Sequence, residues 1–192
     1  MGALEDGERI FATDAATWRA WLEANHARSH GAWLVRPRPG SGLELVDYED
    51  AIRHALCFGW IDGPVRSFDE QIGGLWFSPR RPSSGWAATN KARLIELEAA
   101  GLMTPAGVRA VAQAKANGSW TILDNAEAMI EPADLASALD ADAAARANWS
   151  AFPPSSRKCG IAAVDSARRP ETRAARIAKV VADAAAGKRP GQ

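Results

Sequence analysis

The stretch ALCFGWIDGPVRSFDEQIGGLWFSPRRPSSGWAATNK, residues 55–91, decides how the rest of the chain is read. It carries Trp60, Trp76 and Trp86 of the eight tryptophans, together with Asp62, the adjacent Arg80 and Arg81, and a helix-start signal at Ser83-Ser84. Large aromatics are normally committed to a core or a ligand pocket. Here they alternate with polar groups that are costly to bury without partners. That mixture predicts a pocket wall. Residues 60–65 and 75–81 read as strands joined by a polar connection containing Gly73 and Gly74. Alternation in the second strand puts Leu75, Phe77 and Pro79 on a core face and Trp76, Ser78 and Arg80 on the other. A flat apolar ring, a hydroxyl and a planar cation are the contents of a binding wall. A solvated sheet face bearing one tryptophan is the alternative.

Downstream, Pro82 breaks the strand, and Ser83 or Ser84 is expected to cap a helix running to about Ala100. The free amides of its first turn, beside Arg80 and Arg81, would form a site for a carboxylate or phosphate. Pairing of those arginines with Asp62, Asp69 or Glu70 is the competing reading. Ala87, Asn90, Leu94 and Leu97 share one face of this helix, so Asn90 points inward or into a cleft and needs a partner. Asp62 is the candidate general acid or base, since burial among tryptophans would raise its pKa.

Upstream, Thr13 or Asp14 can cap a helix in which Trp18, Trp21 and Leu22 fall at i, i+3, i+4, ending near Ser29. His26 and His30 could share a helix face, but no third ligand lies nearby, so no metal site is expected. Residues 32–36 read as a strand, followed by a loop rich in Pro and Gly, with 43–46 returning as a second strand. Asp47 then opens a helix whose stripe is Ala51, Ile52, Ala55 and Leu56, stopped at Gly59. His54 and Cys57 sit at i, i+3 on it. A nucleophile pair is the sharp reading there. An apolar setting that raises the thiol pKa and leaves it inert is the plain one.

Beyond Gly101 the pattern is helical. Thr104-Pro105 starts one helix, with Val108, Val111 and Ala112 as its stripe and Asn117-Gly118 as its end. Trp120 reads as packing. Helices are expected over 132–139, 141–149 and 155–167. A last one opens at Pro170, with Ile177, Val180, Val181 and Ala184 as its apolar face. Arg168, Arg169, Arg173 and Arg176 give its start a basic cluster, a surface for a partner or an anion.

The 192 residues suffice for a self-supporting core. With 23 basic and 23 acidic side chains, the balance argues against general nucleic-acid binding or a polybasic membrane surface. No run of about 18 apolar residues occurs, so no membrane span is expected. The N-terminal residues lack a basic segment followed by an apolar one, and Asp6 stands where myristoylation needs Ser or Thr. Cys57 and Cys159 are far apart and read as reduced thiols. These features together predict a cytoplasmic protein without a cofactor. The fold class is α+β: a small antiparallel sheet in the N-terminal half packed by helices, then a mainly helical C-terminal part. The expected division is 1–125 and 126–192.

Five blocks occur in order: ALCFGWIDG (55–63), FSPRRPSSGW with an Asn four residues on (77–90), GLMTPAG (101–107), AKANGSW (114–120) and ARRPETRAARI (167–177). In this order they resemble the YdeI/OmpD-associated, or bacteriocin-protection, family, from about Phe11 to Gly187. The chain departs from that pattern at Ala87, where Ser is usual after the tryptophan, at Ile161 and Val164, where an aromatic is common, and at Arg168, where lysine is common. The resemblance implies a bacterial cytoplasmic protein conferring tolerance to an antimicrobial or stress compound, and supplies no catalytic residue. Combined with the residues, it leads to three expectations. One is capture of a small molecule or peptide with an anionic group, by Trp60, Asp62, Trp76, Ser78, Arg80, Arg81, Trp86 and Asn90. The second is a small enzyme using Asp62. The third is an interaction module docking through the C-terminal basic helix.

Overall fold

The computed structural model describes Leu4 and residues 7–191, which separate into two compact units. The first comprises residues up to Ser84 together with Thr89–Asn117. Its sheet has four strands: β1 (Arg9–Ile10), β2 (Ala32–Pro37), β3 (Trp60–Ser67) and β4 (Ile72–Pro79), in the order β1-β2-β4-β3. β4 pairs antiparallel with both β2 and β3, while β1 runs parallel to β2, so the sheet is mixed. β3 and β4 form a hairpin longer than the sequence reading, with Gly73 and Gly74 inside β4. The turn closes at Asp69, whose Oδ1 accepts from the amides of Gln71 and Ile72 at 2.8 Å each. Residues 43–46 are not a strand. Only Val46 of that segment is buried, its amide donating to Ala12 O, and Leu43 remains exposed, so no alternating buried face holds it in the sheet.

Helices α1 (Ala15–Asn25) and α2 (Tyr48–Cys57) cover one face. Both begin as expected: Asp14 accepts from Thr17 N at 2.7 Å and Asp47 from Asp50 N at 2.8 Å, satisfying otherwise orphaned amides. Trp18 stacks on Trp21 at 5.3 Å, meets Phe77 at 5.2 Å and donates Nε1–H to Ala51 O at 3.0 Å. Trp60 stands edge-on to Trp21. Helix α3 (Ala88–Ala99) starts four residues beyond the Ser84 cap expected of it, and α4 (Pro105–Asn117) follows. The buried stripe of α4 is Gly107, Val111 and Ala114, not Val108 and Ala112: Gly107 lies against the Cys57 carbonyl, and that close approach sets which side faces in.

The second unit comprises Gly85–Ala88 and the residues from Gly118 on. It contains α5 (Asp124–Glu127), α6 (Ala133–Asp140), α7 (Ala143–Ala151), α8 (Pro154–Asp165) and α9 (Pro170–Ala185). Pro at the first helical position opens both α8 and α9, where its missing N–H costs nothing. The core gathers Leu135, Leu139, Trp149, Ile161, Val164 and Val180. Gly160 lets the Trp149 ring lie directly on the α8 backbone. No helix among the described residues is long and apolar enough to cross a membrane.

Candidate functional site

Strand register sorts the candidate residues onto two faces. Asp62 is aligned with Phe77 and Trp60 with Pro79, so both belong to the helix-covered face. Ile61 is aligned with Ser78, and Trp33 with Trp76, so these four belong to the other face. There the Trp33 ring meets Trp76 at 5.2 Å and Phe68 at 5.6 Å, both edge-on, making an aromatic ridge from β4 across β2 to the residue that follows β3. Trp33 is fixed by Nε1–H donation to Leu4 O at 3.0 Å.

Beside this ridge lies an open cavity of about 650 Å³. Trp76, Ser78, Arg81 and His30 line it, with Ile61 and Pro64 supplying apolar wall. Trp76 exposes only 6% of its surface, because it lies in a cradle of glycines. A side chain at Gly7 or Gly31 would collide with its benzo ring, and Gly63 lies against its Cδ1 edge. The ring therefore offers the cavity a narrow rim, not the broad stacking platform that the sequence suggested. Ser78 is half-buried and Arg81 exposed.

The other candidates sit elsewhere. Trp60 is 1% exposed and belongs to the core, edge-on to the half-buried Trp21. Asp62 faces α2, where Tyr48 donates its hydroxyl at 3.4 Å, and burial and the Asp62 charge push the Tyr48 phenol up. The Arg80 amide donates to Gly59 O at 3.0 Å. Burial lowers the Arg80 guanidinium to about 10, with the Asp62 carboxylate opposing that shift. Trp86 is in the second unit, its ring 5.3 Å from Trp120. Asn90 Oδ1 accepts from Arg93 Nη1 at 2.8 Å, and Arg93 forks onto Glu49 at 2.8 and 2.6 Å. That amide therefore locks an inter-helix ion pair. With α3 starting at Ala88, no helix N-terminus stands at Ser83-Ser84.

Cys57 is fully buried and its thiol is pushed up by burial, while burial pushes His54 down. His26 uses Nδ1 on Leu22 O at 2.9 Å. Among the described residues, no group of three or more His, Cys, Asp or Glu is placed to hold a metal ion. In the C-terminal basic cluster, Arg173 forks onto Asp134 at 2.6 and 2.9 Å and reaches Asp165 at 3.3 Å, and these bonds raise its pKa. Arg176 donates to Ala163 O and Ser166 Oγ. Two of its four arginines thus hold helices together, and only Arg168 and Arg169 face out. His30 is the cavity residue that sequence reasoning considered only as a metal ligand. Its place just before Gly31, at the entry to β2, was the available signal.

Two family models match the chain. Residues 10–110 match a family described as a domain of unknown function, DUF8412. Residues 128–187 match the family described as Bacteriocin-protection, YdeI or OmpD-Associated. Of the five sequence blocks, only 167–177 falls inside the second match; 55–63, 77–90 and 101–107 fall inside the first, and 114–120 outside both. The bacteriocin-protection likeness is thus established for the C-terminal part alone. Comparison with curated proteins found no match, and neither did comparison with solved structures.

Proposed function

The chain belongs to the DUF8412 family and carries a bacteriocin-protection segment at residues 128–187, and on that premise we propose that it protects by binding. The ligand is a small molecule or short peptide with an anionic group, and it occupies the cavity on the Trp76 face of the sheet. Arg81 meets the negative charge, Ser78 donates a hydrogen bond, and Trp76 and Ile61 provide apolar contact. The observation that carries this reading is the convergence of an indole edge, a hydroxyl, an imidazole and a guanidinium in one cavity of about 650 Å³. Small-molecule sites span roughly 300–1,000 Å³ and combine apolar walls with a few polar groups. At family level the C-terminal match supports a bacteriocin-protection-like role. Protection then follows from stoichiometric capture of a toxic compound, in the cytoplasm, where the two free cysteines stay reduced.

A thermal-shift screen against anionic antimicrobial compounds and peptides tests this. A true ligand raises the melting temperature progressively with its concentration. Titration of each hit should then show binding weakened about tenfold or more in Arg81→Gln and unchanged in Trp60→Phe, whose ring lies on the other face. Equal affinity in wild type and Arg81→Gln would reject the cavity as the binding site. Turnover of a hit at substoichiometric protein would replace capture by catalysis.

A further inference from the structure

We propose that the turn end of the sheet carries a second ligand site, a groove for a small soluble phosphate-bearing anion. On the helix-covered face, Gly73 of β4 is aligned with Arg36 of β2 and Ser67 of β3. One step further in, Leu75 is buried beneath the helices. At Gly73 there is no side chain to continue that packing, and a groove of about 250 Å³ opens, lined by Arg36, Arg38, Val65 and Ser67. Arg36 and Arg38 are two residues apart in extended chain, whose pairing continues past β2 through Arg38 N donating to Gln71 O, so they lean to the same side.

Both guanidinium groups are positioned. Arg38 donates Nη1–H to Ser67 Oγ at 2.9 Å and to Asp69 O at 3.0 Å, which holds it across the hairpin. Arg36 lies 5.4 Å from the Tyr48 ring centroid, braced on that aromatic face. Arg66 also borders the groove but donates Nη1–H to Leu4 O, away from it. Among the described residues no carboxylate forms an ion pair with Arg36 or Arg38. The neighbouring acid, Asp69, accepts from the turn amides of Ile72 and Gln71, and these bonds, with smaller contributions from the charges of Arg9 and Arg38, hold its carboxyl below the usual range.

Two placed guanidinium groups, neither ion-paired to a carboxylate, are complementary to an oxyanion carrying two negative charges. Phosphate oxygens match the fork geometry, and a single carboxylate would neutralise only one of the pair. The volume admits a phosphate or diphosphate group and little more. This groove and the Trp76 cavity share no lining residue, and neither depends on the other.

Isothermal titration of the full chain with sodium pyrophosphate, against sodium chloride of equal ionic strength, tests the proposal. Wild type should bind pyrophosphate and show no comparable response to chloride. Arg36→Gln should weaken binding at least tenfold, Arg36→Gln with Arg38→Gln should abolish it, and Arg81→Gln should leave it within about twofold. The hairpin-spanning bonds are those of Arg38, and Arg36→Gln loses only the contact with the Tyr48 ring, so this variant stays folded and serves even if the double variant is unstable. The proposal is overturned by absent binding in wild type, by equal affinity in Arg36→Gln, or by a loss that follows Arg81→Gln instead.

Discussion

Trp76 shows at the scale of one residue how packing and binding are traded. Its indole is held by the absence of side chains at Gly7 and Gly31, and Gly31 has φ +151°, a conformation that L-residues rarely adopt. Gly31→Ala is therefore expected to displace the ring and destabilise the protein by about 3 kcal/mol, read as a fall in the denaturant midpoint with an unchanged slope. A wild-type midpoint would mean that the ring is not clasped as described. Trp60→Phe is a different case: a fully buried core residue loses ring volume, which costs about 2 kcal/mol while ligand affinity stays constant. The parity within each strand was legible in the sequence. The notion of a single aromatic wall ignored it, because Trp60 and Asp62 have the opposite sense to Trp76 and Ser78 once the two strands are set in register. What parity alone could not supply was that register, which the turn at Asp69 and the shift between Asp62 and Val65 determine.

At the scale of elements, both caps read from Asp14 and Asp47 are present, since a cap needs only neighbours three residues away. The start of α3 is not where Ser83 and Ser84 signal it. Trp86 is instead buried against Trp120, thirty-odd residues on, and a tertiary contact of that kind overrides a local cap. Asp47→Ala should cost about 1 kcal/mol, measurable by chemical denaturation, whereas Ser83→Ala should cost almost nothing. A comparable loss in both would restore the earlier helix start. In the second unit, Glu131 links two helices, α7 and α8: it accepts from Arg146 at 2.8 Å, Trp149 Nε1 at 2.7 Å and Arg157 at 3.3 Å. Burial pushes its carboxyl up, but the bonds from Arg146 and Trp149 outweigh burial and hold it below its ordinary 4.5. A depressed folded pKa means that the stabilisation is complete above about pH 4.5 and is lost as pH falls through the folded value. Glu131→Gln should cost about 2 kcal/mol at pH 7 and flatten the acid limb of the melting-temperature profile. An unchanged acid limb would remove Glu131 from this role.

At the scale of the whole molecule, the α+β class and the helical C-terminal part followed from periodicity: alternation in residues 60–79 and helical spacing after Gly101. Two features were out of reach. The two-residue β1 has too few residues to show a period, yet it makes the sheet mixed. The segment Gly85–Ala88 joins the second unit through Trp86, so the division of the chain is not a single cut along the sequence. The family matches fall along similar lines, 10–110 and 128–187, and the proposed binding cavity lies in the unit that the first of them covers. The protective role at family level is supported by the second. Coupling between the two is therefore the question that a ligand answers first.

The most direct measurement is a crystal structure of the full chain with a compound selected by thermal shift. Electron density is expected beside Trp76, with the anionic group within hydrogen-bonding distance of Arg81 and Ser78. Density only in the second unit, or a compound whose charged group avoids Arg81, would contradict that placement.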